Sequence, residues 1–495
     1  MHSEANLSIK RSAVLLLLVA LGCHSAADST VATESERPNV LFIAVDDLRP
    51  ELGCYGKDYI LSPNIDRLAQ EGMVFDRAYC QQAVCSPSRT SLMTGLRPDA
   101  TGVYDLQTHF RDTVPNVVTL SQHFKQQGYH TEFWGKIYHA AILDSASWSV
   151  EGDNQDRRIE PQWPQENWRA YALETSNAIA DQYENGGGLP YEHAAVPDTA
   201  YPDGIVAARA VETLRQLSQR DQPFFLGVGF YKPHLPFNAP QRYWDLYDSA
   251  DVERSAFPDP PTGAPEVALT DWEELRAYAS VPPQEEVDEA LALKLIHGYR
   301  ACISYTDAQI GKVLDELDRL GPRENTIIVL WGDHGWKLGD YGDWCKHTNF
   351  EVDARAPLMI SAPGMTAAGQ HTNALVEFVD IYPSLCELAG LPQPDHLQGT
   401  SFVPLLEEPN QAWKDVALSQ FPRQEEEIMG YSMRTDRYRY TRWQQRATQQ
   451  TVGQELYDHQ NDVLVSENLA EDPEYADTVQ QLDSLLDVRW ASSLQ

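Results

Sequence analysis

The chain has 495 residues and a formal net charge of −35, with 42% hydrophobic and 10% aromatic residues. It is too long for a single hydrophobic core and too apolar for a disordered chain. The negative balance weighs against a nucleic-acid partner or an anionic membrane surface, and it repels polyanions wherever cations are not concentrated locally.

In chain order, residues 1–23 read as a signal peptide. Lys10-Arg11 precede the apolar run Ala13 to Leu21, which is too short to span a bilayer. Ala20-Leu21-Gly22-Cys23 resembles a bacterial lipoprotein box and makes Cys23 a candidate for lipidation, with cleavage near Ser25-Ala26-Ala27 as the alternative. Either route predicts export to the periplasm or cell surface, or secretion, with membrane contact only through a lipid anchor. Residues 24–37 are polar and read as a flexible tether.

Residues 38–410 read as one large catalytic domain of α/β class. Val40 to Val45 is a continuous apolar run, the signature of a strand buried on both faces, and it ends at Asp46-Asp47. Phe224 to Gly229 is a second such run, leading into Tyr231-Lys232-Pro233-His234. Thr326 to Trp331 is a third, ending at Gly332-Asp333-His334-Gly335. Helical patterns separate them at Asn64 to Glu71, Val117 to Gln127, Gly204 to Ser218 and Ala290 to Leu320. The alternation predicts a large, mixed, mostly parallel sheet with helices on both faces and its site at the carboxyl ends of the strands. Residues 145–203 and 250–285 read as long insertions. Residues 411–495 form a smaller C-terminal α+β subdomain. Glu427 to Trp443 predicts antiparallel strands, and Asp472 to Arg489 a closing helix. The cysteines outside the signal are scattered and imply no disulfide framework.

Three groups of residues carry chemistry. Cys85 precedes Ser86-Pro87-Ser88-Arg89. A lone cysteine is most often a small buried apolar residue, and it can also be a thiolate nucleophile. Pro87 fits a first helical turn and Gly95 a stop, which places Cys85 just before a helix N-terminus that favours anions. A thiolate phosphatase needs a longer Cys-to-Arg loop than the three residues here. Asp46, Asp47 and Asp333 are hard oxygen donors of the kind Ca²⁺ or Mg²⁺ prefers, and His334 is a ligand, a hydrogen-bond donor or a bystander. Lys136, His139, His234 and Lys346 are each ordinary as single loop residues. As a set they offer cations for sulfuryl oxygens and a proton for a leaving alcohol.

Those stretches resemble a known family. Asp46-Asp47-Leu48-Arg49-Pro50, Cys85-Ser86-Pro87-Ser88-Arg89, Lys232-Pro233-His234-Leu235-Pro236-Phe237, Gly332-Asp333-His334-Gly335-Trp336 and Gly430-Tyr431-Ser432-Met433-Arg434 are similar to motifs of type I sulfatases. Those enzymes are formylglycine-dependent and have the alkaline-phosphatase-like fold; the similarity is strongest to the iduronate-2-sulfatase-like branch. The resemblance implies that a formylglycine-generating enzyme oxidises Cys85. It implies Ca²⁺ at Asp46, Asp47, Asp333 and His334 together with residue 85, and Arg89 steadying the formylglycine hydroxyls. Lys136 and Lys346 would bind the sulfate of a sulfated oligo- or polysaccharide. His139 would help deprotonate the aldehyde hydrate, and His234 would protonate the leaving alcohol. One hydroxyl of the hydrate attacks sulfur, and loss of the second hydroxyl's proton later expels sulfate.

The chain also departs from the branch. Its animal members' cysteine pairs are absent. Gly102-Val103 stand where a basic residue is expected, and His347 adds a group beside Lys346. Asp340 and Asp343 are expected to shape the same pocket. The resulting expectation is an exported sulfatase acting on a sulfated carbohydrate, most simply the 2-sulfate of a uronic acid. The alternatives are a phosphoesterase or phosphonate hydrolase of the same superfamily, and an inactive lipoprotein that binds sulfated glycan.

Overall fold

The computed structural model describes residues 37–139, 142–150, 171–183, 188–271, 273–283 and 285–494. The expected signal peptide with Cys23, and residues 24–36 of the expected tether, lie outside them.

A seven-stranded sheet forms the centre. Its strands are β1 (Asn39–Val45), β2 (Met73–Tyr79), β3 (His130–Gly135), β5 (Phe224–Phe230), β7 (Thr326–Gly332), β8 (Leu358–Ser361) and β9 (Gln370–Glu377). Their order is β3-β5-β1-β7-β8-β2-β9. Only β8 runs against its neighbours β7 and β2. The three apolar runs are the adjacent central strands β5, β1 and β7, pairing in parallel so that Val45 lies beside both Phe230 and Gly332. Between them β4 (Tyr191–Ala194) and β6 (Phe237–Pro240) form a separate parallel pair.

Alternation along β1 explains why the run is unbroken. Leu41, Ile43 and Val45 enter one core, and Val40, Phe42 and Ala44 the other. The first core is closed by α1 (Pro63–Glu71), α4 (Pro202–Leu217) and α5 (Glu289–Leu320). The second is closed by α2 (Cys85–Thr94), α3 (Leu120–Gln126) and α6 (Ile381–Leu388). Burying a Leu, Ile or Phe side chain of this kind stabilises by roughly 1.5–3 kcal/mol each, so two faces of such residues fix the sheet's place.

Several elements differ from expectation. α3 starts at Leu120 rather than Val117, because Thr119 caps it: the Thr119 hydroxyl accepts from Gln122 N–H at 3.3 Å. Cys85 is the first residue of α2, with Val84 at the N-cap, rather than the residue before the helix. The described part of the 145–203 insertion contains a helix, Glu174–Ala180, and the strand β4.

The C-terminal sheet is antiparallel, β10 (Ala417–Arg423), β11 (Ile428–Arg434), β12 (Tyr438–Gln445) and β13 (Thr451–Asp458). One face packs Leu418, Met433, Tyr440 and Leu456 against Leu482 and Leu486 of the last helix, α7 (Ala476–Ser493). The other face brings Phe421, Trp443 and Tyr457 against Val84, Phe350 and Val352, beside the start of α2. Buried Glu377 joins the two sheets, accepting from Arg97 at 2.7 and 3.0 Å, from Lys414 at 2.9 Å and from Leu418 N–H at 2.9 Å. Among the described residues all six cysteines are free, and no helix is long and apolar enough to cross a membrane.

Candidate active site

The site lies where β1, β5 and β7 end. Asp46 and Asp47 follow β1, Asp333 and His334 follow β7, and Lys232 and His234 follow β5. Asp47 takes a left-handed conformation (φ 56°), tolerated better by Asp than by bulkier residues. It is held there on both sides: its N–H donates to Asp333 Oδ1 at 3.0 Å, and its carbonyl accepts from the Tyr299 hydroxyl at 2.7 Å.

α2 brings in Cys85 and Arg89, one turn apart on one face. Cys85 Sγ lies 3.3 Å from His334 Nε2 and 3.5 Å from Asp46 Oδ1. The Arg89 guanidinium is wholly buried. Its Nε donates to Asp333 Oδ2 at 2.8 Å, its Nη2 to Asp46 Oδ1 at 3.3 Å, and its Nη1 to the carbonyls of Lys136 and Ile137. His334 Nδ1 donates to Gly335 O at 3.0 Å, which leaves the Nε2 lone pair facing the cluster.

Lys136 enters from β3 because two glycines let the backbones close. A Cβ on Gly229 would sit 2.1 Å from the Lys136 carbonyl, and Gly135 has φ 76°. Lys136 Nζ reaches Asp46 Oδ2 at 2.5 Å. Lys346 Nζ lies 3.1 Å from Asp47 Oδ1, over the Trp336 ring at 4.8 Å from its centroid. His234 Nε2 is 3.9 Å from Asp47 Oδ2. His139 Nδ1 is buried with no hydrogen-bond partner among the described residues.

The electrostatics follow from these contacts. Burial opposes ionisation of Asp46, but Lys136, His234 and Arg89 hold its carboxyl well below the usual range. For Asp47 burial prevails, and its carboxyl is raised despite Lys346 and His234. Burial opposes charge on His234, yet Asp47 outweighs it and the imidazole is raised. Burial, reinforced by Lys136, pushes His139 down to about 2, so it is a neutral imidazole. Burial and then Asp46 push the Cys85 thiol well above its ordinary value. That direction disfavours the thiolate form.

The donor atoms of Asp46, Cys85, Asp333 and His334 all lie within 4.8 Å of one another, as do those of Asp47, Cys85 and His234. Asp47 Oδ1 is buried and accepts no well-aligned hydrogen bond. Buried carboxylates gathered beside an imidazole fit a hard cation, and the cluster is a candidate metal site.

One residue of the site escaped sequence reasoning. Glu274, from the 250–285 insertion, bridges two cationic groups, at 2.7 Å from Lys346 Nζ and 3.0 Å from His234 Nε2. Burial opposes its charge, but Lys346 and His234 hold its carboxyl well below the usual range. No periodicity or motif marks it, and it is one acid among 73. Asp340 and Asp343 brace the surroundings instead of facing the cluster: Asp340 accepts from Arg49 at 2.7 Å, and Asp343 lies 3.5 Å from buried Lys337. His347 packs beside Phe421, and burial, then Lys346, push it down to about 3. Gly102 ends a short helix at φ 67° and Val103 is buried, so neither contributes a cation.

Comparison with known proteins agrees with this arrangement. Residues 38–391 match the sulfatase family model, and residues 339–490 match the N-sulphoglucosamine sulphohydrolase C-terminal family. Iduronate 2-sulfatase of Mus musculus is 34% identical, over 87% of this chain and 88% of that protein. A sulfatase of Formosa agariphila is 31% identical, over 96% of this chain and 91% of its own. A structure solved in complex with its substrate D-glucosamine-2-N,6-O-disulfate superposes with a TM-score of 0.71 at 23% identity, covering 92% of this chain and 98% of that one. The phosphonate monoester hydrolase of Agrobacterium radiobacter superposes with a TM-score of 0.72 at 22% identity, covering 92% and 96%. The fold is therefore alkaline-phosphatase-like, and the chain belongs to the sulfatase family, as a sulfuric ester hydrolase with an iduronate-2-sulfatase-like sequence.

Proposed function

We propose that the protein hydrolyses sulfate esters of a sulfated carbohydrate, most simply the 2-O-sulfate of a uronic acid in a glycosaminoglycan or algal polysaccharide. The observation that carries this is the placement of Cys85, within the Cys-Ser-Pro-Ser-Arg motif, against His334 and Asp46, in a cluster whose Asp46 and Asp47 pair with Lys136 and Lys346. Support for the sugar comes from the 34% identity to an iduronate 2-sulfatase.

On this reading a maturation enzyme converts Cys85 to formylglycine, and Sγ marks the place of its hydrate oxygens. Asp46, Asp47, Asp333 and His334 would hold Ca²⁺. The cation and the aldehyde hydrate would supply the hydroxyl nucleophile for sulfur. The chain's own groups do the rest. Arg89 fixes Asp46 and Asp333 in place and would steady the formylglycine hydroxyls. Lys136 and Lys346 neutralise the sulfuryl oxygens as the ester bond breaks. His139, buried with an unpartnered Nδ1, is the residue placed to take a proton from the hydrate, and the raised imidazole of His234 has one to give from Nε2 to the leaving oxygen. The N-terminal sequence adds export, either to the periplasm or cell surface with Cys23 as the candidate for lipidation, or as a secreted protein after cleavage near Ser25-Ala26-Ala27.

Mass spectrometry of the Cys85 peptide tests the nucleophile, since unmodified cysteine in active protein overturns it. Defined sulfated saccharides test the substrate. A higher kcat/KM for an aryl phosphate than for the aryl sulfate would replace sulfatase by phosphoesterase.

A further inference from the structure

Lys232 is a buried cation outside the set that faces the substrate. It is 5% exposed and lies in the connection between β5 and β6. Its Nζ donates to two acceptors, the carbonyls of His234 at 2.6 Å and Pro236 at 2.7 Å. Both belong to the turn that carries His234. The start of that turn is pinned as well. The N–H groups of Tyr231 and Lys232 donate to the two oxygens of buried Asp203, in the first turn of α4, at 2.8 and 2.9 Å. The Lys232 carbonyl accepts from the Thr306 hydroxyl of α5 at 3.1 Å.

His234 takes its orientation from this turn. Its N–H donates to Tyr231 O at 2.9 Å, and its Nδ1 donates to Leu235 O at 2.7 Å, so Nε2 is the nitrogen left to face Asp47 and Glu274. With backbone and ring both tied to residues 231–236, the direction of Nε2 depends on how that segment is wrapped.

We propose that Lys232 is a positioning residue for His234: its ammonium gathers residues 232–236 around itself and thereby aims Nε2 at the leaving oxygen. The inference rests on the sulfatase reading, with His234 as the acid that protonates the departing alcohol. Misplacing a general acid costs most when the leaving group needs its proton. A sugar alkoxide needs it; a nitrophenolate barely does.

The test compares Lys232→Met, His234→Gln and the double variant on a sulfated monosaccharide and on para-nitrophenyl sulfate, using full-length matured enzyme. Lys232→Met should lower kcat on the sugar sulfate by roughly 100-fold or more and on the aryl sulfate by less than about tenfold, since general acids contribute roughly 10²–10⁴-fold. The double variant should be no slower than His234→Gln alone, because the two residues act as one unit. Equal losses on both esters, or further loss in the double variant, overturn the inference while leaving the sulfatase reading intact. Wild-type protein that cleaves neither ester, with Cys85 converted, overturns that reading and this inference with it. Should Lys232→Met fail to fold, Lys232→Gln, which keeps a donor, should show a smaller loss with the same bias toward the sugar sulfate and no further loss when combined with His234→Gln; equal losses on both esters, or further loss in the double variant, overturn the inference.

Discussion

Arg89 offers a sharp quantitative test of how the cluster is balanced. Arg89→Met keeps much of the side chain's length and removes every donor. Asp333 and Asp46 then lose their contacts at 2.8 and 3.3 Å, while both remain buried, and the carbonyls of Lys136 and Ile137 lose theirs. Breaking a buried pair by removing one partner costs about 3–5 kcal/mol. With about 2 °C per kcal/mol for large domains, that is an apparent Tm lower by roughly 6–10 °C in chelator. A cation bound at Asp46, Asp47 and Asp333 would supply the missing positive charge, so the deficit should shrink in millimolar Ca²⁺. Scanning calorimetry of wild type and variant, each with chelator and with Ca²⁺, reads all four values. A deficit under about 2 °C in chelator, or one that is the same with Ca²⁺, would refute the assignment of Arg89 as the cluster's internal counter-ion.

Three further outcomes follow from named contacts. Asp333→Asn keeps the shape of a residue that accepts from Asp47 and His334 N–H groups but removes its charge, so turnover should fall at least roughly 100-fold with little change in circular dichroism; near-normal turnover in chelator would sink the metal assignment. Glu274→Gln removes an anion that shares Lys346 and His234 with an incoming sulfate, so KM for a sulfate ester should drop by roughly 3–10-fold; an unchanged KM with kcat lost would instead make Glu274 part of the chemistry. Asp307 accepts from the N–H groups of Asn64 and Ile65 at 3.0 and 2.8 Å, and burial raises its carboxyl to about 7. The folded chain then keeps a proton that the unfolded chain releases near pH 4, so its contribution to stability declines as pH rises from about 4 to about 7. Asp307→Asn should lack that decline. Parallel Tm-versus-pH curves for variant and wild type would contradict it.

What the sequence made legible was decided by burial. β5, β1 and β7 are buried on both faces, so each reads as an uninterrupted apolar run. The residues just beyond them, Asp46-Asp47, Asp333-His334 and Lys232-His234, could be placed at strand ends before any coordinates. α5 was equally plain, because 32 residues run without a proline from the Asp288 cap to the Gly321 stop. β2, β3, β8 and β9 do not stand out in the sequence. β8 is only four residues long, and β2 and β9 mix apolar with polar positions such as Asp76, Arg77 and Asn373. Glu274 was illegible for a different reason: its partners, at positions 234 and 346, are joined to it only through the sheet. The role of Lys232 was likewise hidden, since carbonyl acceptors leave no trace in side-chain identity.

All ten residues of α2 are buried, and Cys85 is 2% exposed. On the proposed chemistry a second enzyme must rewrite that side chain, and it has to reach the thiol to do so. The docked helix offers no such access. Maturation therefore belongs to the interval before α2 settles on the sheet, while the chain is being made or exported. Folding closes that interval. On that chemistry a molecule that folds first keeps its thiol and is inert. The fraction of active protein in a preparation is then set by a race between two rates, and neither annealing nor added cation can repair it afterwards.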